Sequence, residues 1–185
     1  SNTITEARNI RGRRAVVSVH ADVIGFPESL FENFFRVGMG GSKYERVSVR
    51  NQLILLMMHF AGCRESDCLH LWVQDVYVDP ANSDGVIVRL YHPEEGLAPD
   101  GWRGRNGITN RAAYLREQYA LTPRNRLTGT KRVGWKYNVA DHKDNYIQLQ
   151  WFPQQASILF AQLWHRYIHY LAAIDRHHPY AFVSF

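Results

Sequence analysis

The sequence is poor in cysteine and has no long uninterrupted apolar run. Its two cysteines, Cys63 and Cys68, are too few for a disulfide framework, so we expect reduced, packed thiols and a cytoplasmic location. The longest apolar stretch, residues 53–62, lies between Arg50 and Arg64 and is too short to span a membrane. The N-terminal residues are polar and show no secretory signal pattern. These absences argue against a disulfide-stapled secreted domain and against a membrane protein.

A metal site is the alternative interpretation of the two cysteines. Cys63, Cys68 and His70 could offer thiolate and imidazole ligands to zinc. Their spacing lacks the second ligand pair that structural zinc sites usually have. We therefore predict no metal and no cofactor.

Acidic residues are scarce between Pro99 and Lys136. This segment holds two acids and nine Lys or Arg, so it carries +7, whereas the whole chain carries +5. Such a concentration favours a polyanionic partner, although a loop kept soluble by its charge is the alternative. Interleaved aromatic residues could add stacking or packing to phosphate contacts; they are Trp102, Tyr114, Tyr119, Trp135 and Tyr137. The candidate DNA-binding residues are Arg103, Arg105, Arg124, Arg126, Lys131, Arg132 and Lys136.

The remaining pattern is one of helices interrupted by a few strands. Apolar periodicity predicts helices at 26–38, 47–62, 66–72, 109–120 and 153–175. Apolar or alternating runs predict strands at 73–80, 85–92 and 145–151, and a closing strand at 180–185. Expected helix caps are Ser66 or Asp67 for the third helix and Thr109 for the fourth. This order predicts a mainly helical α+β domain with a small antiparallel sheet.

The length of 185 residues suits one domain with a full core. Residues 1–24 are predicted to form an N-terminal lead-in that contains a short strand or extended stretch at 13–23. The helix at 47–62 is apolar on nearly every face, so it should lie in the middle of the domain. Gly62 is expected to end it.

The stretch that follows this helix resembles the first catalytic box of the tyrosine recombinases, the phage-type integrases. That box has a helix ending in Gly, one apolar residue, the first catalytic Arg, a Ser and an acid, then spaced leucines and an Asp before the first strand. The corresponding residues here are Gly62, Cys63, Arg64, Ser66, Asp67, Leu71, Asp75 and Val76. The family usually has Glu where Asp67 stands and Trp where Val73 stands, and here Trp72 comes one place earlier.

The resemblance implies roles for three residues of the first two boxes. Arg64 would be a catalytic residue that stabilises charge on the scissile phosphate, unless it is a structural arginine paired with a nearby acid. Asp67 would support it, either by orienting Arg64 or by capping its helix. Lys143, in the turn before the third strand of a three-stranded sheet, would be the catalytic general acid for the departing 5′ oxygen. Lys131 and Lys136 are its rivals, and a plain surface lysine is the alternative.

The third box of the family, His-x-x-Arg followed by the nucleophilic Tyr, is not found in this sequence. Tyr167, Tyr170 and Tyr180 are predicted to be packing residues. The stretch at 177–185 resembles the part that normally precedes the third box. We therefore expect residues 25–185 to be a partial catalytic domain of a longer parent protein, with a basic insertion at about 93–140.

The resemblance implies site-specific DNA recombination or integration, by strand breakage and rejoining through a 3′-phosphotyrosine intermediate. The implied partner is double-stranded DNA at the attachment or recombination sites of a mobile element, with self-association on DNA in the full-length protein. An alternative is a catalytically inactive DNA-binding accessory or regulatory protein of such an element. A third hypothesis is a metal-dependent hydrolase that uses Cys63, Cys68, His70 or His142.

Overall fold

The computed structural model describes residues 27–136 and 142–184, so the lead-in predicted for residues 1–24 lies outside the described residues. Within these ranges the chain forms five α-helices and one three-stranded antiparallel sheet, and the predicted α+β class is confirmed. The helices are α1 Glu28–Asn33, α2 Glu45–Phe60, α3 Glu65–Cys68, α4 Arg111–Tyr119 and α5 Ala156–Ala172. The strands are β1 Val76–Asp79, β2 Asn82–Tyr91 and β3 Tyr146–Gln148. No helix in the described ranges combines the length and the apolar character that a membrane crossing requires.

The first helix continues beyond its expected end. After α1 the chain winds on as a π-helical segment, Phe34–Met39, which passes through Gly38 instead of stopping there. Phe31 stacks on His59 of α2 with ring centroids 4.2 Å apart, so this part of the chain is docked on α2.

The core lies between α2, α5 and the sheet. Leu53 and Met57 of α2 are fully buried, as are Phe160 and Tyr167 of α5. Residues three or four positions apart share one side of a helix, so each helix presents an apolar stripe to the other. The predicted place of α2 in the middle of the domain agrees with this core, although one side of the helix reaches the surface, where Met58 is 39% exposed.

The sheet is ordered β1-β2-β3, with antiparallel pairing throughout. Val76 of β1 pairs with Val88 of β2, and Tyr91 at the end of β2 pairs with Tyr146 at the start of β3. The β1–β2 turn is tighter than predicted, because β2 already begins at Asn82. The segment 92–145, which contains the basic residues, therefore connects two neighbouring strands.

The predicted cap of α4 was wrong by one residue. Asn110 is the N-cap, and its side-chain oxygen accepts a hydrogen bond from the backbone N–H of Ala113 at 2.9 Å. Thr109 lies one position too early to make this bond, since a capping side chain reaches the second or third residue of its helix.

The predicted closing strand is buried but does not form a strand in residues 180–184. Tyr180 makes one isolated bridge with Trp72, and the N–H of Ala181 donates to the carbonyl oxygen of Leu71 at 2.8 Å. The neighbouring chain is the turn after α3, which has no strand along which a ladder could extend. The apolar pattern correctly indicated burial, because Tyr180, Ala181 and Phe182 all lie in the interior.

Candidate catalytic residues and nucleic-acid interface

Arg64 follows a helix end that fixes the direction of the main chain. Gly62 has a φ of 66°, a left-handed conformation that favours glycine because it lacks a Cβ. The N–H of Cys63 donates back to the carbonyl oxygen of Met57 at 3.1 Å, which closes the last turn of α2. Gly62 thus ends the helix as predicted, and the side chain of Arg64 is exposed just beyond it.

Asp67 holds the main chain at Arg64. Arg64 is the N-cap of α3, and its backbone N–H donates to Oδ2 of Asp67 at 3.0 Å. The Asp67 side chain is fully buried, and its Oδ1 has no hydrogen-bond partner in the described residues. The sequence left two roles open for Asp67, orienting Arg64 or capping its helix, and this contact corresponds to helix capping. Ser66 is not the cap, and α3 ends at Cys68, earlier than expected.

Lys143 lies in a turn whose next two residues are bonded to the chain that follows β2. The carbonyl oxygens of Asp144 and Asn145 accept hydrogen bonds from the N–H groups of Leu97 and His92, at 3.0 and 2.7 Å. Lys143 itself is exposed, so its ammonium group is accessible to a ligand. Lys143 therefore occupies its predicted place, the turn before the third strand. The rival residues Lys131 and Lys136 are also exposed.

Strand β3 links the surroundings of Lys143 to those of Arg64. Lys143 precedes the strand, and after it the N–H of Phe152 donates to the carbonyl oxygen of Phe60 at 2.8 Å. Phe60 is the last residue of α2, so the exit of β3 lies against the turn that leads to Arg64. Lys143 therefore precedes β3, and the chain after β3 bonds to the end of the helix that leads to Arg64; this bond joins neither predicted catalytic side chain directly.

The basic segment is anchored through a buried ion pair that the sequence did not reveal. The guanidinium of Arg111, the first residue of α4, makes a two-point contact with the carboxylate of Asp75, including an Nη1–Oδ2 bond of 2.9 Å. It lies between the rings of Trp72 and Tyr91, 4.0 and 4.2 Å from their centroids. Asp75 also accepts a bond from the N–H of Trp72 at 2.9 Å, which fixes the turn into β1. The segment is therefore part of the folded body.

The seven candidate DNA-binding residues divide into two groups. The first group holds five of the six exposed residues: Arg103, Arg105, Lys131, Arg132 and Lys136. Arg126 is exposed as well, but its Nε pairs with Oε2 of Glu94 at 2.8 Å. Arg124 is half-buried; it donates to the carbonyl oxygen of Leu69 at 2.6 Å and lies 3.8 Å from the centroid of the Tyr180 ring. Free phosphate contacts are thus available mainly from the first group.

The aromatic residues of the basic segment pack inside it. Tyr114 lies edge-on to Trp102 and Tyr119, with ring centroids 5.1 and 5.9 Å apart, and also meets Trp72. Trp135 packs against His70. Tyr137 lies outside the described residues. The sequence predicted stacking or packing for these rings. The contacts on this part of the chain are packing contacts.

His70 is a buried histidine with an altered pKa. Its Nε2 lies 3.2 Å from the carbonyl oxygens of Val133 and Gly134, and its Nδ1 has no partner among the described residues. Burial lowers the pKa of His70 to about 4, and the nearby charges of Arg124 and His92 act in the same direction. Its imidazole is therefore neutral at pH 7 and holds the loop at 133–134 onto α3.

The cysteines and histidines do not assemble into a metal centre on the described part of the chain. No three His, Cys, Asp or Glu side chains of residues 27–136 and 142–184 lie close enough together to hold a metal ion. Cys63 and Cys68 are both buried free thiols, as predicted for packed cysteines. The contact with Cys63, together with burial, raises the pKa of the Cys68 thiol. The Cys68 thiol is therefore not activated as a nucleophile, since the thiolate is the reactive form.

Sequence reasoning missed two arginines, Arg111 and Arg50. Nothing in the local pattern distinguishes Arg111 from its exposed neighbours, because its partner Asp75 is distant in sequence. Arg50 was noted only as the boundary of an apolar run, yet its Nη1 donates to the carbonyl oxygen of Val183 at 2.7 Å. Both residues are defined by tertiary contacts alone.

No protein-family model matches this chain, and neither a curated protein nor a solved structure matches it.

Proposed function

We propose that this chain contains the first two catalytic boxes of a tyrosine recombinase, which breaks and rejoins DNA through a 3′-phosphotyrosine intermediate. The observation that carries the proposal is the position of Arg64. A glycine-terminated buried helix and the Asp67 carboxylate fix its backbone, its side chain faces solvent, and a three-stranded antiparallel sheet follows.

Arg64 supplies charge stabilisation in the proposed reaction. As tyrosine attacks the phosphodiester, negative charge builds up on the non-bridging oxygens of the phosphate. A planar guanidinium donates two parallel hydrogen bonds to such oxygens and stays charged at any working pH. The rigid attachment matters because a preorganised donor costs no reorganisation during the reaction.

Lys143 acts as the general acid. The departing 5′ oxygen of the cleaved strand needs a proton, and an ammonium group can deliver one within hydrogen-bond reach. The turn that carries Lys143 is fixed by the carbonyl bonds at Asp144 and Asn145, while the lysine side chain is exposed. Lys131 and Lys136 are exposed too, and remain rivals for this role.

Double-stranded DNA is the proposed partner, with cytoplasmic location and self-association on DNA as parts of the same proposal. The exposed basic residues of the segment at 93–140 provide phosphate contacts, chiefly Arg103, Arg105, Lys131, Arg132 and Lys136. These contacts position the protein without reading sequence. The DNA target would then be recognised by other means.

The decisive experiment is a covalent-adduct assay on Arg64. The parent protein that carries the third box is mixed with nicked, end-labelled DNA from the junction of its element. A denaturant-resistant protein–DNA adduct is expected. Arg64→Ala should keep DNA binding and folding but reduce adduct formation by ~100-fold or more, the typical cost of removing a charge-stabilising donor. Arg64→Lys should also be weak, because the paired donors are lost.

The control is Arg36→Ala, which removes another exposed arginine, one that pairs with Glu32 on α1. It should form the adduct at the normal rate. If Arg64→Ala unfolds the protein, Arg64 is structural; if it forms the adduct normally, the catalytic assignment is wrong.

A catalytically inactive DNA-binding protein is the second candidate, and the three tyrosines predicted to pack, Tyr167, Tyr170 and Tyr180, are compatible with it. Tyr167 is buried and donates to the carbonyl oxygen of Ala181 at 3.1 Å, and Tyr180 is buried beneath Arg124. The Tyr170 hydroxyl is engaged by Glu45, which raises its pKa. None is suited to attack a phosphodiester. Retardation of DNA without any adduct, on a verified site, would favour this candidate.

A further inference from the structure

A polar cavity lies beside Arg64, between the end of the described chain and helices α2 and α3. It has a volume of about 500 Å³. Its apolar lining comes from Ile54, Leu69, Phe182 and Val183, and its polar lining comes from Arg50, Asn51, Glu65, Arg124, His178 and Ser184. Glu65 follows Arg64 directly in the chain, although Arg64 itself does not line the cavity.

Both arginines of this cavity are bonded to neutral groups. Arg124 donates to the carbonyl oxygen of Leu69 and lies against the Tyr180 ring. Arg50 donates to the side-chain oxygen of Asn51 through Nε and Nη2, and to the carbonyl oxygen of Val183 through Nη1. Within the described ranges, no carboxylate lies within ion-pair distance of either guanidinium. A partly buried charge without a counter-ion is costly, and a bound anion would offset this cost.

The rest of the lining agrees with an anion. Nδ1 of His178 is buried and has no hydrogen-bond partner among the described residues. The imidazole lies close enough to Arg124 and Arg176 that their charges, after burial, lower its pKa. The only acid among the lining residues is Glu65, which is exposed and therefore screened by solvent. The wall of the cavity is thus positive.

We propose that this cavity binds a phosphate group, held by the guanidinium groups of Arg50 and Arg124 with His178 as a further partner. Guanidinium groups match phosphate oxygens because they present several donors in one plane. The volume is in the range of ligand sites and leaves room for the organic part of a phosphate ester. The ester is a backbone phosphate of the DNA bound at Arg64. That last identification rests on the proposed function, whereas the phosphate site itself does not.

Binding of inorganic phosphate by the 185-residue chain tests the site. Thermal unfolding is followed against phosphate concentration, with chloride added to keep the ionic strength constant. We expect a saturable stabilisation with a millimolar Kd. Arg124→Gln and Arg50→Gln should each weaken the affinity roughly tenfold, the effect of one lost charge-assisted bond. Glu65→Gln should strengthen it, because the opposing carboxylate is removed.

Arg116→Gln is the matched control, since Arg116 is an exposed arginine that lines a different cavity. It should bind phosphate like the unmodified protein. Arg124→Lys keeps the charge and serves if Arg124→Gln does not fold, and it should bind with intermediate affinity. The proposal is overturned if phosphate gives no saturable effect, or if Arg116→Gln weakens binding as much as Arg124→Gln does.

A competition assay distinguishes the source of the phosphate. The chain is titrated with a labelled DNA duplex, with and without saturating phosphate. Competition that disappears in Arg124→Gln assigns the cavity to the DNA backbone. Phosphate binding without competition keeps the site, overturns DNA as its ligand and assigns it to a small phosphate ester. Neither assay requires DNA cleavage, so the phosphate site can be confirmed or refuted independently of the recombinase proposal.

Discussion

His70 is the residue whose chemistry departs furthest from what its position in the chain suggests. It follows a short helix in a segment full of polar residues, yet it is 2% exposed and packs against Trp135. Its neutral ring joins α3 to the carbonyl oxygens of residues 133 and 134. A sequence pattern cannot reveal this, because the residues that bury it come from the long segment between β2 and β3.

The buried His70 makes the stability of the protein depend on pH. Its pKa of about 4 in the folded state lies below the ordinary 6.5, so its contribution to stability is complete above pH 6.5 and is lost as the pH falls towards 4. The shift corresponds to about 3 kcal/mol. Urea unfolding at pH 7 and at pH 4 should show this loss in the unmodified protein.

His70→Gln is the matching control, because a glutamine amide can donate to the same carbonyl groups and does not titrate. Its free energy of unfolding should fall less between pH 7 and pH 4, by about 3 kcal/mol. The other histidines are present in both proteins and cancel in the comparison. Parallel pH curves would show that His70 is not the titrating group.

Helix α4 and the turn before β1 are joined by one buried ion pair. Arg111 and Asp75 are 2% and 1% exposed, so neither charge is screened by water. The rings of Trp72 and Tyr91 enclose the guanidinium from both sides. This contact explains why the basic segment is held firmly against the sheet although it repels itself electrostatically.

Removal of one partner of this pair should be strongly destabilising. Asp75→Asn keeps an oxygen for the N–H of Trp72 but leaves the Arg111 charge without a partner, which should cost about 3–5 kcal/mol. Arg111→Met keeps an apolar stem between the two rings but leaves the carboxylate unpaired. Urea unfolding of each single variant measures these costs.

The double variant Asp75→Asn with Arg111→Met should be more stable than the sum of the single effects allows. The expected coupling is about 2–3 kcal/mol, the upper range for contacting residues. Strictly additive effects would mean that the two groups do not act as a pair. In that case α4 is held by its apolar contacts, such as those of Leu115, which is fully buried.

The whole molecule has an uneven charge distribution that predicts its behaviour with DNA. The segment from Pro99 to Lys136 carries +7, and the remainder sums to −2. Several of its basic side chains are exposed, whereas Arg111 is internal and Arg126 is paired with Glu94. Neutralising every basic residue would therefore change both the DNA affinity and the folding stability. Only substitutions of the exposed residues test DNA binding alone.

The salt dependence of DNA affinity should fall when exposed arginines of this segment are neutralised. Arg103→Gln with Arg105→Gln should lower the slope of log K against log salt by about 2, because each lost phosphate contact removes about 0.9. Adding changes at Arg124 and Arg126 should have a smaller further effect per residue, since both contact other protein groups. Fluorescence anisotropy with a short duplex at several salt concentrations measures the slope.

Arg36→Gln provides the comparison, because Arg36 is exposed on the π-helical segment outside the basic region. It should leave the slope nearly unchanged. An equal change in the slope would mean that the whole surface attracts DNA, and that the basic segment is not a binding face.

The sequence by itself determined the features that depend on local periodicity and chain stereochemistry. The α+β class, the order of the main elements and the helix end at Gly62 follow from patterns within a few residues. Errors such as Thr109 for Asn110 were shifts of one residue, because several polar residues could each have capped the helix.

Only the tertiary structure decided which charged side chains face solvent and which are used inside. Arg111, Arg124 and Arg103 come from one basic segment and look equivalent in the sequence, yet they are respectively buried, half-buried and exposed. Their environments depend on partners such as Asp75 and Leu69, which lie far away along the chain. Long-range packing sets the local dielectric and the available hydrogen-bond partners. A local sequence pattern contains no information about either.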